Sequence, residues 1–110
     1  MSKARAKGTG WEVELLPILR CMFGDDVERR GTTLGSADDG DFSGVPWLHE
    51  AKKTDVPHFL QWAKTAQRKH PNEWAVLWSG DRRRGDGPYV LLPLALYERL
   101  VKDGSEDVSV

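Results

Sequence analysis

Asp41, Glu50 and Lys52 are the residues whose types and spacing can do chemistry. They lie in Gly40-Asp41-Phe42-Ser43-Gly44-Val45-Pro46-Trp47-Leu48-His49-Glu50-Ala51-Lys52, which reads as a β-hairpin. The reading puts Asp41 on the first strand, a turn around Gly44 and Pro46, and Glu50 and Lys52 on the second strand. Alternation points Glu50 and Lys52 to one face, roughly 6.6 Å apart along the strand, with Asp41 in reach from its neighbour. Two carboxylates and an ammonium suit a hard divalent cation and an activated water. Mg²⁺ takes oxygen ligands and keeps several waters. The lysine can steady a phosphate or the attacking hydroxide. The competing reading is a solvated Glu-x-Lys pair on a surface hairpin. Against it, charges just after Trp47-Leu48, on a strand expected to be central, need a reason to be there. Asp38, Asp39 and Asp41 crowd the other side, and clustered acids are tolerable when they hold a cation.

The elements that must position these groups follow from periodicity and punctuation. Residues 1–8 read as a flexible basic arm carrying Lys3, Arg5 and Lys7. A first helix is expected from Thr9 as N-cap, with Trp11, Leu15, Ile18, Leu19 and Met22 on one face and Gly24 as C-cap. Pro17 falls inside it and predicts a kink or a later start. Val27 to Arg30 suggests a short strand, and residues 31–40 a loop. Beyond the hairpin, Thr54 or Asp55 caps a second helix with Pro57 in its first turn. Its apolar face is Phe59, Trp62, Ala63 and Ala66, and Pro71 ends it. Trp74 to Trp78 is a continuous apolar run, the pattern of a strand buried on both faces. Arg82, Arg83 and Arg84 fall in a loop, Tyr89 to Leu92 forms a strand, and Pro93 opens a last helix. Leu94, Tyr97, Leu100 and Val101 are expected inward, Gly104 ends the helix, and 103–110 is a disordered acidic tail. The order is α-β-β-β-α-β-β-α, an α/β chain whose mixed sheet packs against helices.

The chain has 110 residues, one cysteine and a net charge of −1, which suits one small domain. Cys21 has no partner for an intrachain disulfide and is no zinc site by itself. No run approaches a membrane span, and no signal-peptide core opens the sequence, so a cytoplasmic protein without a membrane partner is expected.

The order of these pieces resembles the PD-(D/E)XK nuclease superfamily, in particular its small Holliday-junction-resolvase-like members of phage and archaeal type. The resemblance spans residues 7 to 102. It rests on Lys7-Gly8-Thr9-Gly10-Trp11-Glu12, then Arg30, Gly40-Asp41 and Glu50-Ala51-Lys52, then the apolar strand, the arginine loop and Tyr89-Val90-Leu91-Leu92-Pro93. It implies a restriction-endonuclease-like core over 9–102. It also implies Asp41 and Glu50 as metal ligands with the Ala51 carbonyl, Lys52 as the catalytic lysine, and Glu12 as the helix acid. Glu14 rivals Glu12, which a capping box with Thr9 would also explain. His49 stands where the family usually has an apolar residue, and its alternation with Glu50 suggests a packed histidine facing another layer.

The expectation is therefore an Mg²⁺-dependent DNA endonuclease, with Mn²⁺ as a substitute, cutting branched DNA as a homodimer. Lys3, Arg5, Lys7, Arg30, Lys53, Arg82, Arg83 and Arg84 are expected to bind the DNA backbone. The dimer contact is expected on the 56–70 helix. The alternatives are a catalytically silent DNA-binding protein of the same fold, and a nicking or restriction-like nuclease on duplex DNA.

Overall fold

The computed structural model describes residues 3–30 and 40–108, with the side chains of 10–30, 40–81 and 83–104. Helix α1 runs Lys3–Phe23, followed by strands β1 (Glu28–Arg29), β2 (Phe42–Ser43) and β3 (Leu48–Lys52). Helix α2 (Phe59–Lys69), strand β4 (Trp74–Trp78), a 3₁₀ turn (Arg82–Arg84), strand β5 (Tyr89–Leu91) and helix α3 (Leu94–Val108) complete the chain. The described residues form an α+β domain of three helices and two small sheets. β1 and β2 form an antiparallel pair, and the second sheet has the order β3-β4-β5. There β3 and β4 are parallel, with Glu50 opposite Val76 and Lys52 opposite Trp78. β5 returns antiparallel along β4.

The hairpin expected around Gly44 is not a two-stranded ladder. β2 pairs with β1 and β3 with β4, so the chain between them changes sheet. The two sheets meet at Asp41, whose N–H donates to the His49 carbonyl at 2.9 Å. Gly40 makes the approach possible. It has φ +83°, and a Cβ there would lie 2.7 Å from both the His49 carbonyl oxygen and Leu48 Cδ1. Only glycine adopts that conformation and leaves that space without strain.

Burial explains the sheet. All five residues of β4 are buried, as its apolar run predicts. On one side Leu77 joins Trp11, Leu15 and Leu19 of α1 with Val27 and Phe42. On the other, Trp74, Val76 and Trp78 pack with Leu48 and with Trp62 and Ala66 of α2. The Trp11 indole N–H donates to the Leu77 carbonyl at 2.9 Å and ties α1 to the sheet.

The helix ends differ from the expected ones. α1 begins at Lys3, so Thr9 lies inside it as neither N-cap nor capping box, and residues 3–8 are helical turns rather than a flexible arm. Ala4, Ala6 and the intervening lysines and arginine are strong helix formers that carry the helix upstream. Pro17 does not end it, and Gly24, at φ +112°, closes it with an N–H bond to the Arg20 carbonyl. α2 starts at Phe59 behind His58, two residues after Pro57, so neither Thr54 nor Asp55 caps it. Thr54 instead donates its hydroxyl to the Val56 carbonyl. α3 passes through Gly104 to Val108, where a disordered tail was expected. Its apolar residues are not inward. Leu94, Tyr97, Leu100 and Val101 are 71%, 56%, 41% and 47% exposed, and among the described side chains of α3 Leu96 alone is buried. Trp62, on the helix expected to carry the dimer contact, lies in the core. Among the described residues no helix is long and apolar enough to cross a membrane.

Candidate functional site

Asp41 is fixed from three directions. Its carbonyl accepts from the Arg30 N–H at 3.0 Å, its N–H bonds to His49, and its Oδ2 accepts from the Ala51 N–H at 2.7 Å. These contacts aim the carboxylate at the edge of β3 that β4 does not use. In a strand the N–H and C=O of one residue point to the same edge, so the Ala51 carbonyl faces the Asp41 side as well. Burial is the main reason the Asp41 carboxyl is pushed up from 3.8 to about 6, and the Ala51 N–H bond works against it. Glu50 and Glu12 push it further up, and Lys52 pulls it down. The structure thus brings Glu50, Glu12 and Lys52 each within electrostatic reach of Asp41. Glu14 is exposed and is not among the groups acting on Asp41, whereas Glu12 is.

The other carboxylates already have cationic company. Glu50 accepts from Lys69 Nζ of α2 at 2.8 Å, both side chains being mostly buried. Glu50, Lys52, Lys69, Gln61 and Thr65 line a pocket of about 280 Å³ between β3 and α2. Glu12 faces Arg29 Nε at 3.4 Å. Lys69 and Arg29 were not legible as site residues. Lys69 reads as an ordinary cation in the last turn of a helix, where the macrodipole favours one, and Arg29 as an edge-strand charge.

His49 is packed, as its alternation suggests. Its Nδ1 lies 2.8 Å from the Trp47 carbonyl, and its ring stacks on Trp47 and meets the edge of Phe23. Burial pushes its pKa below the ordinary value, against the Trp47 bond. It forms a layer behind β3 and does not face Glu50.

The candidate DNA-binding residues are spread out. Arg30 donates from Nε to the Phe42 carbonyl at 3.3 Å and lines a groove with Trp47, His70 and Glu73. Lys53 and Arg83 share a different pocket with Asp81. Arg84 is exposed, 3.8 Å from Asp81. The side chains of Lys3, Arg5, Lys7 and Arg82, and the whole of Asp38 and Asp39, lie outside the described residues.

Among the described residues no three His, Cys, Asp or Glu side chains form a metal-holding group. What the edge of β3 offers is smaller: the Asp41 carboxylate, the Ala51 carbonyl, and Glu50 and Glu12 near enough to raise Asp41. That donor set fits Mg²⁺, which binds through one or two carboxylates and completes its shell with water and phosphate oxygens. It does not fit zinc, which asks for thiolate or imidazole.

No protein-family model, no curated protein and no solved structure matches this chain.

Proposed function

We propose that this chain is a metal-dependent DNA endonuclease with a restriction-endonuclease-like core, acting on branched DNA as a homodimer. The observation that carries the reading is the half-buried Asp41 carboxylate on the Ala51 N–H, raised by Glu50 and Glu12 and lowered by Lys52. Acids forced together beside a lysine at a strand edge are costly unless they bind something positive.

Asp41, Glu50 and the Ala51 carbonyl would hold Mg²⁺ or Mn²⁺, with Glu12 on its outer side. When bound, the cation supplies an acidified water and neutralises charge on the phosphate. The Lys52 ammonium orients that water and stabilises the negative charge that develops on the phosphoryl oxygens. Asp41 must lose its proton before it can ligate, and its raised pKa makes cation binding release a proton below about pH 6. Lys53, Arg30 and the Arg82 to Arg84 turn, with Lys3, Arg5 and Lys7 on α1, contact phosphates rather than bases. Paired cuts on opposing strands need two sites, which a two-fold dimer provides.

The Glu50–Lys69 and Glu12–Arg29 pairs favour a second reading. With both carboxylates neutralised internally, the protein would bind DNA without cutting it. Labelled four-way junction and plain duplex, each incubated with Mg²⁺ or with chelator, distinguish the readings. Junction cleavage that needs Mg²⁺ and disappears in Asp41→Asn supports the resolvase. Cleavage confined to duplex makes it a nicking or restriction-like enzyme, and binding without cleavage of either DNA makes it a silent binder.

A further inference from the structure

The unburied face of α3 has a definite pattern. At 100° per residue, Leu94, Tyr97 and Val101 share one stripe with Leu100 at its margin, and Gly104 falls on the same stripe. Leu96 and Arg99 point the other way. Leu96 is buried, and Arg99 binds Glu73. Glu98 and Lys102 lie together along one flank of the stripe, and neither makes an ion pair among the described residues.

We propose that α3 packs antiparallel on the α3 of a second copy, about a two-fold axis near Arg99 and Leu100. This rests on the homodimer named above but moves its contact from α2 to α3. In an antiparallel pair the same flank of each helix meets its equivalent. A register that sets Tyr97 on the partner's Val101 also brings Glu98 to the partner's Lys102 and Lys102 to the partner's Glu98. The same register sets Leu94 opposite the partner's Gly104, where a Cβ would meet nothing within 4 Å in the isolated chain, so there is room for the leucine. A parallel pair offers no such reciprocal charge match on one flank.

The four exposed apolar side chains of α3 offer roughly 350 Å² of apolar surface, most of the apolar share of the about 800 Å² per partner that a stable interface buries.

Sedimentation of the full chain at micromolar concentration should show a dimer. Glu98→Lys and Lys102→Glu should each weaken it about tenfold, because each reversal turns two attractive contacts repulsive. Mixing the two single variants should restore assembly as a heterodimer, a result that repulsion within one helix cannot produce. Circular dichroism melts establish that each variant is folded. Tyr97→Glu should give a folded monomer. A monomeric wild type overturns the proposal and the homodimer together. A wild-type dimer indifferent to both reversals overturns the α3 contact and leaves the homodimer standing. DNA cleavage, scored separately on the same samples, decides the nuclease reading without bearing on this one.

Discussion

Replacing Asp41 with Asn should stabilise the cation-free protein at pH 7, although it removes a hydrogen-bonded carboxylate. The carboxyl sits at 3.8 in the unfolded chain and at about 6 in the fold. Between those values the folded state holds the proton more tightly, so stability falls as pH rises through that window and levels off above it. At about 1.4 kcal/mol for each tenfold in proton affinity, the ionised carboxylate costs the fold on the order of 3 kcal/mol at pH 7. Asn keeps an acceptor for the Ala51 N–H but leaves its own amide N–H groups short of partners, which returns about 1 kcal/mol. The net gain is about 2 kcal/mol, or roughly 8 °C in Tm for a domain of this size. At pH 4 the folded Asp41 is protonated while the unfolded carboxyl is still about half ionised, so the variant becomes the less stable protein by about 0.5 kcal/mol; the two stability curves cross between about pH 4 and 5. Thermal and urea melts of both proteins in chelator, from pH 4 to 8, test this. Millimolar Mg²⁺ or Mn²⁺ should then raise the wild type more than the variant, which lacks the Asp41 ligand. A variant less stable than wild type at pH 7 in chelator, or a difference that does not depend on pH, would refute the placement of Asp41 in a half-buried position beside other acids.

Three other outcomes are expected. Lys69→Met leaves the mostly buried Glu50 without its ammonium and should cost about 3 kcal/mol in chelator by urea melts, with Mn²⁺ recovering part of the loss. Gly40→Ala should cost about 1–3 kcal/mol, since it places a Cβ against His49 and Leu48 at positive φ, and its cation affinity by calorimetry should fall with the displaced Asp41. Changing Arg82, Arg83 and Arg84 together to Ala should weaken junction and duplex binding alike and reduce the slope of log affinity against log salt; an unchanged slope would place that turn away from the DNA.

The core was legible wherever one element contained its own signal. Trp74 to Trp78 reads as a buried strand because an unbroken apolar run of that length has no exposed face to offer. Glu50 and Lys52 share a face because alternation requires it. The gathering of Glu12 toward Asp41 was reached through a resemblance. Spacing alone cannot bring a helix against a strand so far along the chain. What was misread depended on partners. Phe42-Ser43 and Leu48 to Lys52 look like two arms of one hairpin, yet each finds a better ladder elsewhere, β1 in one case and the buried β4 in the other. The α3 stripe reads as inward because periodicity reports that a face is apolar without saying which surface covers it. Lys69 and Arg29 were missed because an ion pair across elements leaves no local pattern.

The bond from Ala51 to Asp41 gives the site a clock. The Ala51 amide lies on the sheet edge opposite β4, and what covers it is the Asp41 carboxylate. Its proton can exchange with deuterium only when Asp41 swings aside, while the amides of Glu50 and Lys52, turned into the β4 ladder, wait for the sheet itself to open. The ratio of those exchange rates therefore measures how often the site loosens without the fold loosening. A cation that pins Asp41 should slow the Ala51 proton and leave its two neighbours unchanged.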